Sequence, residues 1–162
     1  MEVKQIRELL FEEMHTGVRT VKNLLAKIPE ELWDFRPSEG MRTLQELANH
    51  LVQIPHIDMA IMKELSQEEV QQLEHQLLAE KPEQMADVME GGFLAFKDYY
   101  ESLPAQDFFH AEFKPFYFEE GQPGLSPAKW LVEVTTHVFH HRGQLFTYMK
   151  QSKLDINMFD LY

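Results

Sequence analysis

The sequence has 162 residues, a net charge of −12 and no cysteine. The length fits one domain spanning 1–162, and the acidic charge argues against a nucleic-acid partner, since phosphate binding needs clustered Lys and Arg. Without cysteine the chain has no disulfide, no thiolate metal ligand and no thiol nucleophile of its own. No apolar run approaches the ~18 residues that a membrane helix needs, and the acidic N-terminus lacks a signal-peptide pattern. We therefore expect a cytoplasmic globular protein with no membrane partner.

Periodic apolar residues predict two long helices in the first part of the chain. Their 3.6-residue spacing over 2–27 indicates an amphipathic helix, and a loop over 28–42 follows it. Thr43 and Glu46 have the spacing of a capping box, in which each side chain accepts a hydrogen bond from the other residue's amide, so a second helix should begin there. Pro55 lacks an amide hydrogen and its ring clashes with the preceding turn, so we expect it to interrupt and kink this second helix.

Two more helices are predicted in the middle of the chain. The pattern at 66–69 is that of another capping box, and it predicts a shorter polar helix that ends near Leu78. Pro82 suits the first position of a long helix over 82–102. A glycine pair at 91–92 costs about 1 kcal/mol per glycine relative to alanine, which indicates either a bend or close packing against a neighbour.

The rest of the chain contains a long connection, a last helix and a tail. Prolines and glycines make 103–127 a connection rather than a helix, and within it 113–118 has the pattern of a short extended piece. The apolar spacing over 128–150 predicts the last long helix, and 151–162 is a tail. With almost no strand pattern, the sequence predicts an all-α fold: a four-helix bundle with one long crossover loop.

Two histidines stand four positions apart on the predicted last helix. His137 and His141 would therefore stack one turn apart, roughly 6 Å along the axis, where both rings can reach one cation at ~2.0–2.1 Å. His140 is also within helical reach of His137 and competes with His141 for this role. A third ligand is needed, and His50 on the apolar face of the second helix is the candidate. Three neutral imidazoles leave a tetrahedral ion one open position for water or substrate, as in catalytic sites.

The residues around these histidines resemble a known family. The stretch 33–44, the His50 that follows it, and the block His-x-x-His-His-Arg-Gly-Gln-Leu at 137–145 are similar to those of the DinB/YfiT-like family of metal-binding four-helix-bundle proteins. The resemblance covers nearly the whole chain. It implies that His141, and not His140, is the second ligand of the last helix, and that the protein forms a homodimer.

Several residues are candidates for supporting the ligands. Glu46 and Glu133 each stand one turn before a proposed ligand, where a carboxylate can accept the free ring N–H, although both equally fit solvated faces. Arg142 stands beside His141, where it would bind an acidic group or form a surface ion pair. No acid has the spacing of an HExxH motif, so a general base is only inferred, with Glu46 or Asp58 as candidates.

The remaining histidines and the loop aromatics have weaker patterns. His56 lies ~240° around the second helix from His50 and should point elsewhere. The other histidines lack ligand-like spacing and are expected to be solvated: His15, His75 and His110. The aromatic cluster at 116–118 would either roof the pocket or dock onto the bundle.

The resemblance implies two enzymatic functions and one that is not enzymatic. The first is a metal-dependent hydrolase of amide-like bonds, of the YfiT kind. The second is a thiol S-transferase that uses a low-molecular-weight thiol such as bacillithiol, which suits a chain without cysteine. The third is a metal-binding module of the stress response. Three imidazoles accept Zn²⁺, Ni²⁺ or Cu²⁺, and we expect zinc or nickel together with a small-molecule substrate.

Overall fold

The structure is a computed structural model that describes residues 3–162. Six α-helices occupy most of this range: α1 (Val3–Leu25), α2 (Leu44–Met62), α3 (Gln67–Gln76), α4 (Pro82–Ser102), α5 (Ala105–His110) and α6 (Pro127–Gln151). Two short 3-10 turns lie at Glu30–Leu32 and Met158–Leu161. The single β-type pairing among the described residues is an isolated bridge between Phe113 and Leu125. Every helix of the described part is too short or too polar to cross a membrane.

The four long helices α1, α2, α4 and α6 form a bundle. α1 and α2 each pack against both α4 and α6, so the order around the bundle is α1, α4, α2, α6. The apolar faces meet in one core, in which Met14, Leu51, Phe96 and Leu145 are fully buried. The long crossover joins α4 to α6, and the predicted all-α four-helix bundle is confirmed.

The helices begin where the capping residues of the sequence place them. The Thr43 hydroxyl accepts a hydrogen bond from the Glu46 amide at 3.1 Å, and the Glu46 carboxylate accepts one from the Thr43 amide at 2.7 Å. Ser66 and Glu69 form the same reciprocal pair at the start of α3. The predicted first residue of α1, Glu2, lies outside the described residues.

Pro55 does not break α2, so the predicted interruption is wrong. The helix continues through the proline, which is buried against α4. A Cβ atom on Gly92 of α4 would stand 3.1 Å from the Pro55 Cβ and 2.8 Å from the His56 ring. Gly92 thus lets the two helices approach closely, and this contact supports α2 across the missing amide. The glycine pair therefore serves close packing, which is one of its two predicted roles.

The crossover carries minor structure of its own. α5 occupies its first part, and Phe113 and Leu125 then exchange backbone hydrogen bonds of 3.1 and 2.9 Å, which close the segment between them into a loop. The predicted extended piece over 113–118 is reduced to this bridge. The reason is a turn that follows at once, closed by a hydrogen bond from the Phe118 amide to the Pro115 carbonyl.

The adjacent glycines of α4 give a matched test of the close approach. Gly92→Ala should lower the free energy of unfolding by about 1–3 kcal/mol, because the new methyl group overlaps the His56 ring and Pro55. Gly91→Ala should raise it by about 0.5–1 kcal/mol, because alanine favours helix. Its new Cβ would have its nearest neighbour at 3.8 Å, an ordinary contact. Urea denaturation of both variants measures the difference, and equal stability of the two would contradict the packing of α2 on α4.

Candidate metal centre

Two facing helices supply the three histidines. α2 contributes His50, and α6 contributes His137 and His141 one turn apart. Buried apolar residues flank them along both helices: Leu47, Leu51 and Ile54 on α2, and Val134, Val138 and Leu145 on α6. Because α2 packs against α6, the contact between these helices places the three imidazoles among largely apolar side chains.

The three rings converge on one point. One ring nitrogen of each histidine lies within 4.8 Å of the others, and the Nε2 atoms of His50 and His141 are 3.0 Å apart. The ring centroids are 4.5 Å apart for His50 and His141, 4.9 Å for His137 and His141, and 5.6 Å for His50 and His137. Nitrogens that share a tetrahedral ion stand ~3.3 Å apart, so small side-chain rotations would fit this group to a divalent cation. The group is therefore compatible with metal binding.

Hydrogen-bond partners fix the tautomers of two rings. A carboxylate oxygen of Asp58 lies 3.1 Å from Nδ1 of His137, and the side-chain carbonyl oxygen of Gln144 lies 2.8 Å from Nδ1 of His141. Both partners are acceptors, so each Nδ1 carries the proton and each Nε2 keeps its lone pair. Acceptors of this kind orient metal-ligating histidines and raise their basicity.

Burial keeps the imidazoles neutral. Desolvation, with smaller effects from Arg42 and the neighbouring histidines, lowers the pKa of His50 to about 3. Desolvation also lowers the pKa of His141 to about 4, against the hydrogen bond to Gln144, which raises it. The pKa of the buried Asp58 carboxyl is raised by desolvation, against its hydrogen bond to an imidazole. Neutral imidazole is the form that binds a cation, so the site is prepared for one near neutral pH.

Two predicted neighbours of the ligands have other partners. The carboxylate of Glu46 accepts a hydrogen bond from the Thr43 amide and caps α2 instead of contacting His50. Glu133 forms an ion pair with Lys129 at 2.6 Å, one turn before it on α6. Neither carboxylate makes the predicted contact with an imidazole, because a nearer donor on its own helix takes it.

Arg142 is buried away from the three rings. It donates hydrogen bonds to the Thr20 hydroxyl of α1 and to the Leu161 carbonyl of the tail, both at 2.9 Å. Its guanidinium also stacks on the Phe139 ring. These contacts attach α6 to α1 and to the tail, so neither the predicted contact with an acidic group at the site nor a surface ion pair is made.

Asp58 and Gln144 each contact an imidazole ring, and the sequence did not predict this contact for either residue. The sequence singled out Asp58 only as a candidate general base, yet an acid inside the apolar run 57–61 is a signal of a buried and paired carboxylate. Gln144 follows His141 by three residues, the helical spacing at which side chains meet. Both signals were present in the sequence, but neither names the imidazole that each residue contacts.

The other histidines lie outside this group. His140 is exposed, although its ring centroid is 4.8 Å from that of His141, so the structure places His141 and not His140 among the three. His56 is half-buried against the glycines of α4, and this burial lowers its pKa. The remaining three are exposed, as expected: His15, His75 and His110.

A groove and a loop border the centre. The groove lies between α2 and α3, has a volume of about 810 Å³ and includes His50 in its wall. In the crossover loop, Tyr117 is 54% exposed, and partial burial together with the charges of Asp58 and Glu133 raises its pKa. The aromatic cluster at 116–118 stays largely open to solvent, with only Phe118 half-buried.

Comparisons with known proteins add a family to this geometry. A sequence model of the DinB family matches residues 1–160. A DinB-family structure from Exiguobacterium sibiricum is similar with a TM-score of 0.76 and 28% identity, over 97% of each chain. DinB-like proteins share the fold at lower identity: one from Bacillus cereus (TM-score 0.71, 18%, 93% of this chain and 95% of that one) and one from Bacillus subtilis (0.65, 16%, 91% and 96%). None of the curated proteins matches at a significant level.

The lowered histidine pKa values predict that the metal-free protein loses stability in acid. Below pH 6.5 the unfolded chain binds protons at His50 and His141, whereas the folded chain binds them only near pH 3 and 4. Stability should therefore fall as the pH drops from about 6.5 towards 4. His50→Gln should make this fall smaller, and His110→Gln, an exposed control, should leave it unchanged.

Melting curves of chelator-treated protein at several pH values measure this effect. The raised pKa of Asp58 acts in the opposite direction, so the comparison between variants, rather than one absolute curve, is informative. The same pH dependence in wild type and His50→Gln would contradict the burial of a neutral imidazole.

Proposed function

The chain belongs to the DinB family, and from this premise we propose that it binds a divalent metal ion through His50, His137 and His141. The convergence of three ring nitrogens within 4.8 Å carries the proposal. Hydrogen-bond acceptors beside Nδ1 of His137 and His141 support it further, because they leave the lone pair of each Nε2 for a cation. We propose in addition that residues 1–162 act as one domain, in a cytoplasmic homodimer that takes a small-molecule substrate.

The chain's own contribution is to position the ligands. Asp58 holds the His137 ring and Gln144 holds the His141 ring, while the apolar flanks of α2 and α6 restrict bulk water. A divalent cation, when bound, supplies Lewis acidity and lowers the pKa of a water molecule or thiol at its open position. His50 and His137 are only half-buried, so a small molecule can approach the group from solvent.

Zinc and nickel are the ions that we propose. All three donors are imidazole nitrogens, a set that suits these ions. Magnesium and calcium bind mainly oxygen ligands, and the nearest buried carboxylate, that of Asp58, is engaged with His137. The donor set therefore favours a borderline transition-metal ion over a hard cation.

Hydrolysis of an amide-like bond is the reaction that we propose first. Three nitrogen ligands with one open position are the arrangement of several zinc enzymes that activate water. Such a reaction also needs a group that accepts a proton from water. Asp58 is the nearest acid, and it can act only through the imidazole that it contacts.

Thiol S-transfer is the second candidate, and one observation favours it. The carboxylates around the centre already have partners: Asp58 is bound to His137, Glu133 to Lys129 and Glu46 to the Thr43 amide. A thiol substrate brings its own nucleophile, and lowering its pKa removes the need for a general base. A non-enzymatic metal-binding module of the stress response is the third candidate.

Metal analysis of protein purified without an affinity tag tests the ligand set. Wild type should hold about one zinc or nickel ion per chain, and His50→Ala or His141→Ala should lose most of it. His140→Ala is the matched control, and it should keep near wild-type content because its exposed ring lies outside the group. Asp58→Asn should weaken affinity by about 10- to 100-fold, since it removes the carboxylate that orients His137.

Two results would contradict this ligand set. Equal metal loss in His140→Ala and His141→Ala would mean that His141 was wrongly chosen over His140 as the ligand. A rise in melting temperature on adding metal that His50→Ala leaves unchanged would place the ion at a site that does not use His50.

An activity screen of the metal-loaded protein separates the three functions. Cleavage of amide model substrates supports the hydrolase, and joining of a low-molecular-weight thiol to an electrophile supports the transferase. In either case His50→Ala should lower the rate by about 100-fold or more, and His140→Ala should retain it. Metal binding with neither activity would favour the non-enzymatic module.

A further inference from the structure

The groove between α2 and α3 opens on the candidate metal centre. Its volume of about 810 Å³ is large enough for a small molecule, and His50 lies in its wall. The same ring belongs to the group of three imidazoles and is only half-buried. A molecule in the groove would therefore lie directly beside the centre.

Gln53 offers this groove an unpaired hydrogen-bond acceptor. It lines the groove one helical turn after His50, ~4.5 Å along the axis, and is only 5% exposed. Its amide nitrogen donates a hydrogen bond to the backbone carbonyl of Glu74 at 3.1 Å, and this contact identifies which end of the amide is the oxygen.

The amide oxygen of Gln53 keeps access to the groove. Within the described residues it accepts no hydrogen bond. The polar side-chain atoms of this part of the chain that are both wholly buried and unpaired are the Nε atoms of Arg7 and Arg142, so the Gln53 oxygen is not sealed in the core. A largely buried acceptor without a donor is costly, and an N–H group of a ligand would satisfy it.

The walls of the groove carry negative charge. Four carboxylates line it: Glu46, Glu68, Glu74 and Glu80. Within residues 3–162 none of them forms an ion pair, although Glu46 accepts the hydrogen bond of its capping box. The other ionisable lining residue besides His50 is His75, which is exposed. Neither α2 nor α3 contains a lysine or an arginine.

The cations that flank these helices along the chain do not line the groove: Arg42, Lys63 and Lys81. Arg42 has an acid of its own, Glu39, three residues before it, and the Lys63 ammonium lies 5.0 Å from the centre of the Tyr99 ring. Lys81 follows Glu80, so its charge offsets that acid first. The half-buried Glu74, whose backbone contacts Gln53, is the lining acid that we expect to keep its charge for a ligand.

We propose that the groove binds an amine-bearing small molecule, whose ammonium group is held by the Glu74 carboxylate and the Gln53 oxygen and whose reacting end lies beside His50. This inference rests on the proposed metal site and names its substrate class. A cleft lined by one sign of charge concentrates the opposite sign, and an ammonium group donates to both kinds of oxygen. A metal ion at the three imidazoles would repel the ammonium, which therefore occupies the α3 side of the groove.

Two thiols that differ in one group test the proposal on cobalt-loaded protein. The probes are 4-mercaptobutylamine, which carries an ammonium group, and 4-mercaptobutanol, which does not. Their chain is too long for the amine and the thiol to chelate cobalt in a small ring. The visible spectrum of the cobalt reports first on metal loading and then on probe binding. Wild type should bind the amine about 10-fold more tightly, and added salt should reduce this preference.

Variants of the groove isolate the effect. Glu74→Gln should bring the preference to within about 3-fold without changing the cobalt spectrum of the probe-free protein, and Glu74→Asp should restore part of it. Gln53→Met keeps a side chain of similar length without the amide oxygen and should also weaken the preference. Glu83→Gln is the matched control, because it removes the same charge from an exposed position outside the groove. It should keep the full preference.

The outcomes separate this inference from the proposed function. No preference in wild type, or a preference that survives Glu74→Gln or Gln53→Met, would overturn the amine site while the metal site stands. An equal loss in Glu74→Gln and Glu83→Gln would reduce the effect to general charge and also overturn it. Failure of cobalt to bind wild type would overturn the metal site, and this inference with it.

Discussion

The packing of α2 against α6 is the contact on which the rest of the site depends. Buried imidazoles lose their hydration, and each then needs a partner. His50 lies on the face of α2 that meets α6, so the contact that buries the flanking leucines and valines also brings the three rings together. A shift of one residue on either helix would turn a ring by ~100° and separate the group. One interface thus determines both the stability of this part of the core and the geometry of the centre.

Each of these two helices also contacts a neighbouring helix that carries none of the three histidines. α2 lies close to α4 because Gly92 leaves room for Pro55 and His56, and α6 is attached to α1 by the buried hydrogen bond from Arg142 to Thr20. These contacts touch none of the three rings, yet they limit how far the two helices can slide. A centre whose nitrogens must agree to a few tenths of an ångström needs such support, because side-chain rotation alone corrects only small errors.

The parts of the structure that depend on local sequence could be predicted, and those that depend on distant neighbours could not. Apolar periodicity and the Thr43 capping box define the helices, and the spacing of His137 and His141 defines their shared face. Whether α2 continues through Pro55 depends on Gly92 in another helix. The sequence around Pro55 therefore predicted an interruption that is absent. The same limit applies to Asp58: its burial could be inferred from its apolar neighbours, but its contact with a ring on α6 follows only from the packing of α2 on α6.

The arrangement separates the element that would bind the metal from the elements that would recognise the substrate. All three histidines stand on long bundle helices, where neighbours on both sides restrict them, whereas the aromatic cluster at 116–118 stands on the crossover between α4 and α6. Loops tolerate substitutions and insertions that would disrupt a packed helix. Proteins with this bundle can therefore keep one ligand set and change the charge and shape of its surroundings. Under the proposed function, the ligand set would be a property of the bundle helices, and the choice of substrate would be left to the short helix α3 and the less constrained connections.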